Sequence, residues 1–597
     1  MVTGDHPANE EEDNETHPKP PSNDLESSSN EKPSKIKTWQ SLTLRGICLA
    51  IILNILYTLI NAYLGMNFGI GMGFSIITVL AAYTLFQYFG GGTNRQELTT
   101  TMVASTGFTI YYTISISIYI QAYVPGANLP FWLVPSYDIL MTGSPFHPAW
   151  FIPICFHLGF VLTSTMLGFI TALAVSDLVL SRKKVTFPFY LASGVTINTC
   201  LETDQKSRFM FQWLGIGIIL TLTQYFINLL VMPFGLTAVS WDFTPLLPTG
   251  FALGFMLNIS LMAVSYIIDP RLSLTMLFAG IINYLVLSPI LTTYGIITPG
   301  ITGMDHYFNL LFQFSLSPAL GIMLISGIII LGIQKLRKNA KANEKSNPNV
   351  SDALGFGEYT KRLFTGLRKK PKLLAAFLSI IGIFIIIVSI LNIFSPFPIW
   401  ISVPLTLILL VGVAIIDVFI LIKFVGEAGI GIGVQRLAFY EIPLATSGLY
   451  GYVPFLAYPA INPWTTTDTI GNLKIGQLTK TPKKPLLVAQ LLKILPGSIT
   501  SVVFVLAAWY FIGFPSETFP AIGVLQGFAI VSLFATRSLG TSFNLVTFFL
   551  GGIIVGLLAA FQPVSYVGAA LALFLPPSYF IPFSFGGFLR LYTQKKY

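Results

Sequence analysis

Long apolar runs recur from about residue 43 to residue 588, and no other feature constrains the fold as tightly. Of 597 residues, 53% are apolar and 10% are charged. A soluble domain cannot keep that much apolar surface from water, so lipid must solvate most of the chain. A helix crosses a bilayer with about 20 apolar residues. The expected fold class is all-α, a polytopic bundle of membrane helices.

Fourteen runs read as clear spans. Eight lie in the first half, near 43–64, 67–89, 97–124, 150–181, 209–232, 250–268, 272–296 and 316–334. Six follow near 373–394, 399–422, 486–513, 518–535, 540–560 and 562–588. Residues 185–205 and 437–475 are apolar too, but Pro, Gly and Thr interrupt them, and their basic flanks belong on one side. Each is expected to cross twice or to dip in and return; counting each segment once gives about sixteen in all. Irregular backbone survives at membrane depth only beside protein or a wet cavity, and broken helices in matching halves point to a transporter's site. A weak repeat agrees, since LGMNFGIGMG at 64–73 and VGEAGIGIG at 425–433 are each followed by a Thr-rich stretch.

Charge sets the expected organisation. Residues 1–40 form a polar, initially acidic tail that cannot build a core and has no signal-peptide hydrophobic region, so the first span should act as an uncleaved anchor. Residues 41–335 form a first membrane half, 336–372 a basic cytoplasmic linker, and 373–597 a second half. Lys32, Lys35, Lys37 and Arg45 precede the first span, which puts the N-terminus inside. Threading the spans then puts Arg182, Arg271, Arg368, Arg537 and Arg590 inside as well, so both termini are cytoplasmic in a cell-membrane protein.

Several function classes drop out. Cys48, Cys155 and Cys200 make no disulfide framework, and the five histidines make no metal site. There is no phosphate loop and no polar stretch long enough for an ATPase. No cofactor is implied. The net charge of +9 sits beside the apolar runs, where anionic lipid explains it better than nucleic acid does.

The third span is the least lipid-like. Glu97, Thr101, Ser105, Phe108, Tyr112, Ser115 and Tyr119 recur at steps of three or four, as one helical stripe lining the bundle interior. Asn54, Thr58 and Asn61 share a face of the first span. Glu97, Asp417, Glu427, Glu441 and Asp468 fall at membrane depth, where a carboxyl can take up and release a proton. Glu97, Glu441 and Asp468 are the proton-coupling candidates. Asn61, Tyr112, Tyr119 and Lys474 are the substrate-binding candidates. Lys474 lies in TDTIGNLKIGQL, where a Gly-bounded turn would bring it close to Asp468. That cation would either hold a re-entrant turn or receive a substrate carboxylate.

These segments resemble the oligopeptide transporter family, which includes the yellow-stripe-like metal-chelate carriers. INAYLGMNFGIGMGFSI at 60–76 is similar to its first motif, and NRQELTTTMVASTG at 94–107 to its Glu-plus-Thr/Ala segment, which maps the family's acid onto Glu97. VTFPFYLASG at 185–194 resembles another family span. TTTDTIGNLKIGQLTKTPKKPLLVAQLLKILPG at 465–497 carries Asp468, Lys474, Gly476 and Gln490 at matching places, with Asn472 where a second Asp would be expected. GAALALFLPPSYFIPFSFGGFLR at 568–590 resembles the closing segment. The resemblance implies about sixteen spans and proton symport of small peptides or peptide-like metal chelates, with no enzymatic step. A lipid-linked transferase would need clustered acids or a large external loop, and a passive channel or scramblase would show no saturation.

Overall fold

The computed structural model describes residues 41–68, 75–89, 91–107, 111–123, 129–142, 144–182, 185–202, 240–257, 268–319, 354–391, 414–428, 461–514, 544–561 and 564–596. Scattered positions are described between 212 and 227, 262 and 266, 321 and 333, 400 and 412, and 519 and 524. The tail at 1–40 and residues 437–460, Glu441 among them, lie outside the described residues.

Helices dominate. In the first half they are α1 (Leu44–Phe68), α2 (Ser75–Tyr88), α3 (Arg95–Ser105), α4 (Tyr111–Tyr123), α5 (Phe151–Leu180), α6 (Pro188–Cys200) and α7 (Pro270–Thr293). Then come α8 (Phe356–Lys369), α9 (Pro371–Leu391), α10 (Ala414–Lys423), α11 (Pro463–Leu478) and α12 (Lys483–Phe511). The last are α13 (Leu545–Phe561), α14 (Tyr566–Phe574) and α15 (Phe580–Lys596). Among the described residues, four helical stretches are long and apolar enough to cross a bilayer: 44–63, 148–180, 270–293 and 483–511. Large apolar side chains such as Ile52, Leu378, Ile386, Val546 and Ile554 are exposed on the outside of these and neighbouring helices. That is the surface lipid would cover.

Four expectations need correction. The third span is two helices, because α3 ends at Ser105 and Thr106 turns extended (φ −60°, ψ 123°) before α4 begins. The single stripe from Glu97 to Tyr119 is therefore interrupted. Residues 250–268 do not begin as a span: Gly254–Met256 is a strand (β2) paired antiparallel with Ser240–Asp242 (β1). Phe255 stacks there on Trp241, ring centroids 5.5 Å apart. The final run, 562–588, is split at Pro576-Pro577 into α14 and α15. The hydroxyls of Tyr307 and Tyr284 donate to the carbonyls of Phe574 and Leu575 (2.8 and 2.6 Å), which satisfies backbone that the break exposes.

The fourth concerns the two interrupted stretches, in their described parts 185–202 and 461–475 only. Residues 188–200 are continuous helix, started by Pro188 at N1 after Phe187 in the left-handed region (φ 53°). Residues 463–478 are continuous helix as well, with Asn462 as N-cap and Pro463 at N1. The threonines that suggested a break send their hydroxyls to carbonyls one turn back: Thr466 to Asn462, Thr467 to Pro463, Thr469 to Thr465. This pattern hides their polarity within the helix.

α11 is the axis of the fold. It packs against α5, α6, α10 and the first part of α12. Thr466 Oγ1 also donates to the carbonyl of Gly168 on α5 (2.9 Å). Beside it, α1, α2, α3, α6 and the start of α12 share an apolar cluster including Ala50, Leu53, Val79, Leu98, Ile197 and Leu486. α3 is buried on every side from Glu97 to Ser105, which fits its low apolar content: it faces protein, not lipid.

Candidate functional site

Two features of sequence converge at the same depth. α12 is interrupted at Lys493, where Pro496 lacks the N–H that would bond the carbonyl of Leu492. Lys493 is ten residues into α12 (493 − 483), or about 15 Å along the axis. The break after α3 is held by α1, since Asn54 Nδ2 donates to the carbonyl of Thr106 (3.0 Å). Asn54 is also ten residues into its helix (54 − 44). The two helix starts lie at one end of the bundle, where Gln96 Nε2 reaches the carbonyl of Lys480 (3.2 Å). Lys493 and Thr106 therefore meet well inside the bundle, about 15 Å from that end, and Lys493 Nζ donates to Thr106 Oγ1 at 2.9 Å. Gly107 lets the turn after α3 lie close against α1, because a Cβ there would lie 2.9 Å from the backbone nitrogen of Thr58.

Asp468 on α11 is the counter-ion. Its Oδ2 accepts from Lys493 Nζ and from Gln490 Nε2 (2.7 Å), and its Oδ1 accepts from Tyr190 Oη (2.9 Å) and Asn472 Nδ2 (3.2 Å). Asn472 Nδ2 also donates to Gln490 Oε1 (2.7 Å), which closes a ring of polar groups from α6, α11 and α12. The Tyr190 ring lies directly on α11 at Gly471, where a Cβ would come within 2.6 Å of it. Four donors occupy the carboxylate, which matches the acceptor capacity of the ionised form. The Lys493 side chain is 4% exposed and that of Asp468 24% exposed.

Glu97 is placed differently. It sits in the first turn of α3, behind the Asn94 N-cap, at the bundle end where α1 begins. Arg45 grips it with two bonds of 2.7 Å, Nε to Oε1 and Nη2 to Oε2. Thr43 Oγ1 (2.5 Å) and Thr93 Oγ1 (3.0 Å) fill its remaining sites. Its side chain is 1% exposed, and that of Arg45 is 46% exposed. This is a charged staple between α1 and α3 at the membrane end, a more peripheral place than the sequence suggested.

The remaining candidates scatter. Lys474 does not meet Asp468: six residues on a helix turn by about 240°, so the two point apart. Lys474 is half-buried and makes no ion pair among the described residues. Tyr119, on α4, is half-buried and stacks near Tyr123 (5.2 Å), which in turn meets Trp509 of α12 (6.2 Å). Asn61 is half-buried on α1, and Tyr112 belongs to α4 with its side chain outside the description. Asp417 is buried on α10, and Lys423 on the same helix lies 4.7 Å from the Tyr566 ring centre.

Lys493, Tyr190 and Thr106 were not singled out in the sequence. Lys493 had a visible signal, a lone cation inside an apolar run three residues before a proline. Tyr190 had none, because its partner is 278 residues away.

No curated protein matches the chain. The family described as OPT oligopeptide transporter protein matches residues 41–597, nearly the whole chain. The apolar helices and this match make the chain a multi-pass membrane protein whose relatives are transporters of small peptides. The chain belongs to the OPT oligopeptide transporter family.

Proposed function

We propose that the protein is a proton-coupled symporter of small peptides or peptide-like metal chelates. It would work across about sixteen spans in the cell membrane with both termini in the cytoplasm. The observation that carries this reading is the Asp468–Lys493 pair, buried well inside the bundle beside a helix break. A proton arriving at Asp468 turns an acceptor into a donor, so one of its four donors must leave. Release of Lys493 frees a cation for a substrate carboxylate, a group that both peptides and peptide-like chelators carry. Proton and substrate then favour the same opened pair, which is a coupling of two binding events through one element. Lys474 offers a second cation, and Asn61, Tyr112 and Tyr119 offer hydrogen bonds and stacking. Glu441 stands as a further carrier on sequence alone. The geometry of Glu97 suits holding α1 to α3 better than carrying a proton.

The test is uptake of labelled di- to pentapeptides and of iron chelates into proteoliposomes under an imposed pH gradient. Acceleration by an acid outside pH supports symport. Uptake indifferent to the gradient removes it.

A further inference from the structure

Lys361, Phe364 and Arg368 stand one above another on the outer face of α8, within the stretch expected to be a simple linker. The opposite face is packed: Tyr359, Leu363, Gly366 and Leu367 are buried, and α8 rests on α5. The contact is close, since a Cβ on Gly366 would lie 2.5 Å from the carbonyl of Ala174. Ala174 is six residues from the end of α5 (180 − 174), so α8 lies at the membrane end of a long span. α9 starts at Pro371, directly after α8, and soon exposes Leu378 and Ile386, as a lipid-facing helix would. α8 thus sits where one span leaves the bilayer and the next enters it.

The charges on this end sort into two kinds. Glu358 pairs with Arg182, and Asp177 stands 3.9 Å from both Arg362 and Lys483. Lys370 Nζ reaches the carbonyl of Leu173 (3.1 Å). Lys361, Arg368 and Lys369 are exposed and make no ion pair among the described residues. Between them Phe364 is 60% exposed. An apolar ring ringed by unpaired cations at a membrane boundary suits a surface whose phosphates lie just above its acyl chains.

We propose that the outer face of α8 binds anionic phospholipid headgroups, with Phe364 seated among the upper acyl carbons and Lys361, Arg368 and Lys369 on the phosphates. This inference rests on helix placement and is independent of what the protein carries.

The full-length protein, purified and delipidated in detergent, is offered phosphatidylglycerol and phosphatidylcholine in equal amounts, and retained lipid is quantified. Wild type should retain phosphatidylglycerol several-fold over phosphatidylcholine, and millimolar inorganic phosphate should not displace it. K361Q/R368Q/K369Q should bring the ratio near one while keeping the wild-type unfolding temperature in lipid-free detergent. Should the triple variant unfold early, K361Q and R368Q are read singly, and each should lower the ratio. Equal retention by wild type, a ratio unchanged in the variants, or displacement by phosphate would overturn the proposal.

Discussion

Lys493 and Asp468 form an ion pair between the interruption of α12 and the first half of α11, with Thr106 at the end of α3 as the lysine's second partner. One ammonium group thus joins α12, α11 and the extended turn that follows α3. Neither charge makes sense alone at that depth, because an unpaired ion there is costly.

Removing one member should therefore hurt more than removing both. Lys493→Met leaves Asp468 charged among neutral groups and should cost about 3–5 kcal/mol. The double change Asp468→Asn with Lys493→Met should regain much of that loss. Thermal unfolding in detergent reads the order. A double variant as unstable as the single one would mean that the pair does not hold the helices.

Thr106→Val takes the hydroxyl from Lys493 while keeping the shape of the side chain. The expected loss is about 1 kcal/mol with slowed uptake, and Thr106→Ser should restore both. Equal behaviour of the valine and serine variants would remove Thr106 from the network.

Gly471→Ala puts a methyl group against the Tyr190 ring, which must shift and lose its bond to Asp468. Overpacking of this kind costs about 1–3 kcal/mol. Tyr190→Phe removes the bond without the clash, so it should impair uptake with a smaller loss of unfolding temperature. If Tyr190→Phe transports normally, the tyrosine serves packing only.

Glu97→Gln loses the bidentate grip of Arg45 at the membrane end. Uptake should slow, but its acceleration by a pH gradient should persist. Loss of that acceleration with Glu97→Gln would move the proton step from Asp468 to Glu97.

The fold class and the family were legible because both rest on local signals, apolar run length and short motifs. Polar α3 was readable as an interior helix for the same reason. Its break at Thr106 carried only one local sign, Gly107 directly after it, and the extended turn is held by Asn54, 52 residues away. The threonines of α11 misled in the opposite direction, because back-bonding to their own helix lets a polar segment stay helical. Asp468 is paired, but with a cation 25 residues away on α12 rather than with the one six residues along its own helix. Partner choice is a property of helix packing, and spacing along one helix does not report it.

The most direct measurement is peptide or chelate uptake by Asp468→Asn proteoliposomes with and without an inward proton gradient, beside wild type. The account predicts that the gradient accelerates wild type and leaves the variant unchanged, at whatever residual rate it retains. A variant still driven by the gradient as strongly as wild type would contradict it.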